Sequence, residues 1–114
     1  MVHFNLEIEI KNNSIIIIYI NNNIFIEDLP KLKYIIKNSI NKNINKIILN
    51  LQNCKFIEKN IWEYFINLKK EILINNGDIV ITNISSNLEK DYDILEIYNN
   101  ILLYKDIEDA IYSI

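Results

Sequence analysis

The chain has 114 residues, 50% of them hydrophobic, with a formal net charge of −3: the size and composition of one folded domain rather than a disordered segment. All 12 basic residues are scattered lysines. The bidentate arginine that reads guanine or phosphate is therefore missing, and nucleic-acid binding is not expected. One cysteine, Cys54, and one histidine, His3, exclude a disulfide framework and a zinc ligand set.

The opening MVHFNLEIEIK has neither a basic leader nor a continuous apolar stretch, so it does not read as a signal peptide. Phe4, Leu6, Ile8 and Ile10 alternate with His3, Asn5, Glu7 and Glu9, the period of a strand over Phe4–Ile10 with one wet face. KNNS (11–14) supplies turn chemistry, and IIIIYI (15–20) reads as a strand covered on both faces, so the two form a hairpin. Ile15–Ile20 is also the longest unbroken apolar run, far short of a membrane span. A cytoplasmic protein without membrane insertion is the expectation.

NNN (21–23) reads as a loop. Pro30 suits a first helical turn, and Leu29, Leu32, Ile36 and Ile40 form a helical stripe. KIILNL (46–51) is a second, central strand. It runs into QNCKFIEKNIWE (52–63), a short polar loop and a helix start, the kind of junction at which α/β proteins meet ligands and partners. Asn60 is the expected helix cap, with Glu63 three residues on as its capping-box partner. Ile61, Phe65, Leu68 and Ile72 share a face that Trp62, Ile66 and Leu73 widen. Gly77, the only glycine, stands where a left-handed helix terminus is expected. DIVITNI (78–84) is the next strand. SSNLEKDYDILEIY (85–98) reads as a loop and a shorter helix with Leu88, Tyr92 and Leu95 inward. ILLY (101–104) is a short strand. Asp106 caps a last helix whose Ile107, Ala110, Ile111 and Ile114 face the core. The expected fold is α/β in a single domain, 1–114, with about five strands and four helices.

Bland readings outweigh sharp ones at most chemically notable residues. Cys54, with no histidine near it in sequence, is an inert buried thiol before it is a nucleophile. His3 is a surface residue at a strand start. Glu89, Asp91, Asp93 and Glu96 form a solvated helix face before they form a cation site, because no glycine-bearing loop accompanies them. Trp62 is a packing residue first and an exposed anchor second. The bias toward Ile, Asn, Lys and Tyr is that of an A+T-rich genome and carries no functional signal by itself. No phosphate loop, metal cluster or catalytic triad can be read, so neither an enzyme nor a cofactor is expected.

The element order β-β-α-β-α-β-α-β-α resembles the STAS domain, the family of the bacterial anti-sigma-factor antagonists, over essentially the whole chain. KIILNLQNCKFIEKNIWEYF parallels that family's strand, its L-D/N-L-x-x-(V/L)-x-F-(I/M)-D-S-S-G-L junction and its second helix. NNGDIVIT parallels the strand that follows, and ILLYKDIEDAI the closing strand and helix. The family's G-E-L-D loop falls on Asn22, Asn23, Ile24 and Phe25. The resemblance implies a mixed five-stranded sheet, its first strand antiparallel and the rest mainly parallel. It also implies a switch in which a serine at the junction accepts phosphate. Residue by residue, the family Asp falls on Glu58, the phosphoacceptor Ser on Lys59, the second Ser on Asn60 and the Gly on Ile61. By this resemblance the partner-binding residues are Glu58, Lys59, Asn60 and Glu63, with Asn22 and Asn23 beside them. The phosphosite position, Lys59, has lost its hydroxyl, and Ser85 or Ser86 is where a displaced switch would stand.

Three functions follow from the resemblance. The first is a regulatory module that binds an anti-sigma factor or related ATPase-fold kinase without phospho-switching. The second is a structural or regulatory subunit of a larger assembly, such as a lipid-transport ABC ATPase complex. The third is a ligand sensor. A homodimer is compatible with each.

Overall fold

Two strands, β1 (Leu6–Lys11) and β2 (Ile15–Ile20), pair antiparallel across a turn that places Asn12 and Asn13 at φ 54° and 55°. Left-handed backbone at both central positions is what a tight hairpin needs, and asparagine tolerates it better than any residue except glycine. The computed structural model describes residues 4–114, so His3 lies outside the described residues.

Then follow α1 (Leu29–Asn41), β3 (Lys46–Asn50), α2 (Lys59–Leu73), β4 (Asp78–Thr82), α3 (Ser86–Ile94), β5 (Leu103–Tyr104) and α4 (Ile107–Ser113). The sheet runs β1-β2-β3-β4-β5, antiparallel only between β1 and β2 and parallel thereafter. The expected mixed five-stranded sheet with four helices is therefore what the chain forms. The strands expected to be central, β2, β3 and β4, are internal, and all but Tyr19, Lys46 and Asp78 of their residues are buried.

The larger core lies on one face of the sheet. Ile16, Ile18, Ile47, Leu49, Ile79 and Ile81 meet Leu32 and Ile36 of α1, Trp62 and Phe65 of α2, and Leu88 and Tyr92 of α3. The second face is smaller: Ile15, Ile17, Ile48 and Val80 meet Ala110, with Ile107, Ile111 and Ile114 packed around it. Each fully buried Ile or Leu is worth roughly 1.5–3 kcal/mol of transfer free energy, which is why every internal strand carries apolar residues on both faces.

Five expectations are corrected. First, β1 is Leu6–Lys11 rather than Phe4–Ile10, and its apolar side is not fully covered: Ile8 and Ile10 are 46% and 44% exposed. They share a face with Ile16 and Ile18, but a cleft stays open between them and Tyr34 and Ile35 of α1. Second, Leu73 and Leu95 are exposed, and in that stretch Ile97 and Ile101 are the residues buried in the larger core. Third, α2 starts at Lys59, one residue before the expected cap, so Asn60 lies inside the helix. Fourth, Gly77 is not left-handed. The residue that turns the chain is Asn76, at φ 62°. Gly77 is small for another reason: a Cβ there would sit 2.7 Å from the Asn45 carbonyl oxygen and 3.0 Å from Ile72 Cβ. Fifth, β4 ends at Thr82, short of the expected Ile84, and β5 is only Leu103–Tyr104.

Candidate functional site

The loops after β2 and β3 leave the same end of two parallel neighbours, so they emerge side by side. They are then fastened to each other. Ile24 and Ile57 form an isolated parallel bridge: Ile24 N–H donates to the Phe56 carbonyl (2.9 Å) and Glu58 N–H to the Ile24 carbonyl (3.0 Å). Both isoleucines are buried, at 0% and 2% exposure, and they pin the two loops to the core. Their alternate neighbours, Phe25 and Phe56, consequently point outward. These two rings are 41% and 43% exposed and lie 5.6 Å apart, with Ile26 (43% exposed) beside them. An exposed aromatic pair on backbone held by hydrogen bonds forfeits little entropy on binding.

Asparagine side chains complete the fastening. The Asn23 amide oxygen accepts from Lys55 N–H (3.1 Å), and that of Asn22 accepts from Asn5 N–H (3.1 Å). Asn53 donates through Nδ2 to the Asn21 side chain at 3.4 Å. Asp28 accepts from Phe25 N–H (2.8 Å) and fixes the turn that carries the first phenylalanine.

The residues expected to meet a partner fall on this surface. Lys59, Asn60 and Glu63 are exposed in the first turns of α2. Glu58 is half-buried at its N-cap, Asn23 is exposed and Asn22 is half-buried. Glu58 makes no side-chain cap bond. Among the described residues the two ion pairs are Lys11–Glu9 and Lys69–Asp78, so the charges of Glu58, Lys59 and Glu63 are left free for an external group. Ile26 and Phe56 are not singled out by the sequence, and Phe25 enters there only as the last position of the family's G-E-L-D loop; each reads as one more apolar residue. The alternation Ile24-Phe25 and Phe56-Ile57 around two adjacent loops was the available signal.

Behind this surface the framework is inert. Cys54 is fully buried, donates weakly to the Phe56 carbonyl (3.5 Å), and burial pushes its thiol up to about 11. It is a packing residue and not a nucleophile. Trp62 is 1% exposed and meets Phe65 edge-on at 6.3 Å, so it too is core; its Nε1 finds no acceptor. Among the described residues, no group of three or more His, Cys, Asp and Glu side chains is placed to hold a metal ion, and no helix is long and apolar enough to cross a membrane.

The junction after β4 runs parallel to that after β3. Ser85 caps α3 through Leu88 N–H (3.4 Å), and its hydroxyl donates to the Cys54 carbonyl at 2.6 Å, tying the two junctions together. Ser86 is exposed.

A model of the STAS domain matches residues 5–110. No curated protein shows significant similarity to the chain. Solved structures do. A candidate anti-sigma factor antagonist from Thermotoga maritima superposes with a TM-score of 0.85 at 20% identity, over 95% of this chain and 92% of that one. The unphosphorylated form of the anti-sigma factor antagonist SpoIIAA gives 0.79 at 14% identity, over 96% of this chain and 98% of that one. SpoIIAA, a Bacillus cell-fate determinant, is also known in a phosphorylated form. An anti-sigma factor antagonist from Mycobacterium paratuberculosis gives 0.82 at 12% identity, over 97% and 93% of the two chains. At these identities the likeness is one of fold.

Proposed function

The chain belongs to the STAS-domain family, and from that premise we propose that it is a non-enzymatic, cytoplasmic protein-binding module of the anti-sigma-factor-antagonist type that works without a phosphoacceptor at the family's serine position. The observation that carries this reading is the outward pair Phe25 and Phe56, set on two loops bridged at Ile24 and Ile57, immediately before Lys59 at the start of α2. Aromatic anchors on a rigid frame with free charges around them are what a protein interface uses.

No Ser, Thr or Tyr stands anywhere from Cys54 to Glu63. Lys59 therefore offers a fixed positive charge in place of a switchable negative one, and binding is constitutive or set by abundance. Ser85 supports this, since both its cap bond and its donation to Cys54 commit the hydroxyl to holding the fold.

Affinity purification with the whole chain as bait, followed by mass spectrometry, identifies the partner, and calorimetry then compares variants. Lys59→Glu reverses the local charge and weakens binding by about 1–3 kcal/mol, roughly 5- to 150-fold, mostly at low salt. Unchanged affinity for both Lys59→Glu and Glu58→Lys would place the interface elsewhere. Phosphopeptide mapping after incubation with native cell extract and ATP is the second check. Phosphate on Ser85 or Ser86 would replace constitutive binding by a displaced switch.

A further inference from the structure

The sheet has an open edge, and its charges are self-complementary. Among the described residues β1 borders the sheet and pairs with β2 alone. Asn21 N–H donates to the Asn5 carbonyl, which sets the phase of the antiparallel ladder. Asn5, Glu7, Glu9 and Lys11 turn their backbone groups toward β2, and Leu6, Ile8 and Ile10 turn theirs outward. Sheet edges are ordinarily blunted by a proline, a bulge, an inward-pointing charge or charged side chains along the strand, and of these β1 has only the last: Glu7, Glu9 and Lys11, of both signs and on one face. β1 has no proline, an unbroken register with β2, and Leu6, Ile8 and Ile10 at the inward positions. Ile8 and Ile10 open into a cleft of about 260 Å³ walled by Ile16, Ile35 and Tyr34, the last 69% exposed.

We propose that this edge joins a second copy of the chain, β1 to β1 antiparallel about a two-fold axis through Glu9, making a continuous ten-stranded sheet. The occupant follows from charge and register. Two well-overlapped registers keep the apolar faces together and satisfy the outward backbone groups. One centres on Ile8 and sets Glu7 of each copy opposite Glu9 of the other, a repulsion made twice. The other centres on Glu9 and sets Glu7 opposite Lys11 twice and Ile8 opposite Ile10 twice. Its one unfavourable contact is Glu9 against Glu9, and each Glu9 already receives Lys11 Nζ at 3.1 Å and the Tyr19 hydroxyl at 2.9 Å. A two-fold axis perpendicular to the sheet keeps both α1 helices on one side, so each Tyr34 flanks the shared Ile8–Ile10 seam and the cleft closes.

The inference is independent of the partner surface at the other loops, and its test leaves that surface untouched. Sedimentation of the full chain across the micromolar range gives twice the 13.6 kDa chain mass. Ile8→Pro removes only an outward N–H, leaves the β1–β2 ladder intact, and returns the chain to monomer mass. Ile10→Lys does the same by placing charge in the seam, which covers the case in which the proline variant fails to fold. Lys11→Glu dissociates the dimer, and Glu7→Lys added to it restores association. In a Cys54→Ala background, Glu9→Cys forms an intercopy disulfide faster than Ile8→Cys does. A wild type that stays monomeric overturns the proposal. So does a dimer that survives both Ile8→Pro and Ile10→Lys, or crosslinking that favours Ile8→Cys.

Discussion

Two strand-to-helix junctions stand side by side at the same end of the sheet, and they are built differently. After β4, Ser85 caps α3 and donates back to Cys54, so its side chain is spent on the fold. After β3, Glu58 takes the N-cap of α2 without a side-chain cap bond, and Lys59, Asn60 and Glu63 stand exposed behind it. The second junction is held instead from the neighbouring loop, through Ile24, Ile57 and Asn23. The two constructions leave different surfaces open to substitution. A helix start held by its own cap residue cannot change that residue cheaply, whereas one held by a bridged loop can carry Glu, Lys and Asn without a capping side chain.

The largest effect that sharpens this contrast lies under the second junction. Trp62→Ala empties a fully enclosed site in the first turns of α2 and destabilises the fold by about 3–5 kcal/mol, read from urea unfolding. A loss near 1 kcal/mol would mean that the bridged loop, and not the core beneath it, fixes the start of α2. Next comes the surface. Phe56→Ala costs about 2 kcal/mol of partner affinity, roughly 30-fold, while its thermal melt stays close to wild type. Equal damage to melt and affinity would make Phe56 a structural residue and erase the distinction between the junctions.

Smaller is the difference between the caps themselves. Ser85→Ala destabilises by about 1–2 kcal/mol, because it strands both a helix N–H and the Cys54 carbonyl. Glu58→Ala stays within about 0.5 kcal/mol. Similar values for the two would break the comparison at its root. The slightest effect is a pH dependence. Burial raises the Cys54 thiol from its ordinary value near 9 to about 11, so the folded chain keeps a proton that the unfolded chain releases in that window. Its contribution to stability is full below pH 9 and is lost as pH rises toward 11. Melts between pH 8 and 11 fall more steeply for wild type than for Cys54→Ala; parallel curves would mean that the thiol is solvated. Tyr64, pushed up to about 12 by burial, acts in the same direction at still higher pH and is common to both proteins.

The asparagines show how a discounted signal can still be used. Asn12, Asn13, Asn43, Asn76 and Asn83 are five of the six described non-glycine residues at positive φ, the sixth being Glu96. A chain with one glycine must put something else at its left-handed turns, and asparagine is the cheapest substitute. The Asn-rich composition says that such residues are plentiful but not which of them turn the chain, so Gly77 reads as the turning residue where Asn76 is.

The order of elements, the internal strands and, Leu73 and Leu95 excepted, the buried face of each helix are legible in the sequence, because hydrophobic period is local and survives without neighbours. The sequence also placed the junction at Glu58 and Lys59, through a resemblance carried by Lys46–Gly77. Tertiary structure alone decided what that junction presents. Whether Phe25 and Phe56 are core or surface depends on a bridge between residues 33 positions apart, Ile24 and Ile57, which turns their neighbours outward. Whether Ile8 and Ile10 are buried depends on how closely α1 packs against the edge of the sheet, where a cleft remains. Period tells which residues share a face; only packing between distant segments tells which faces are covered.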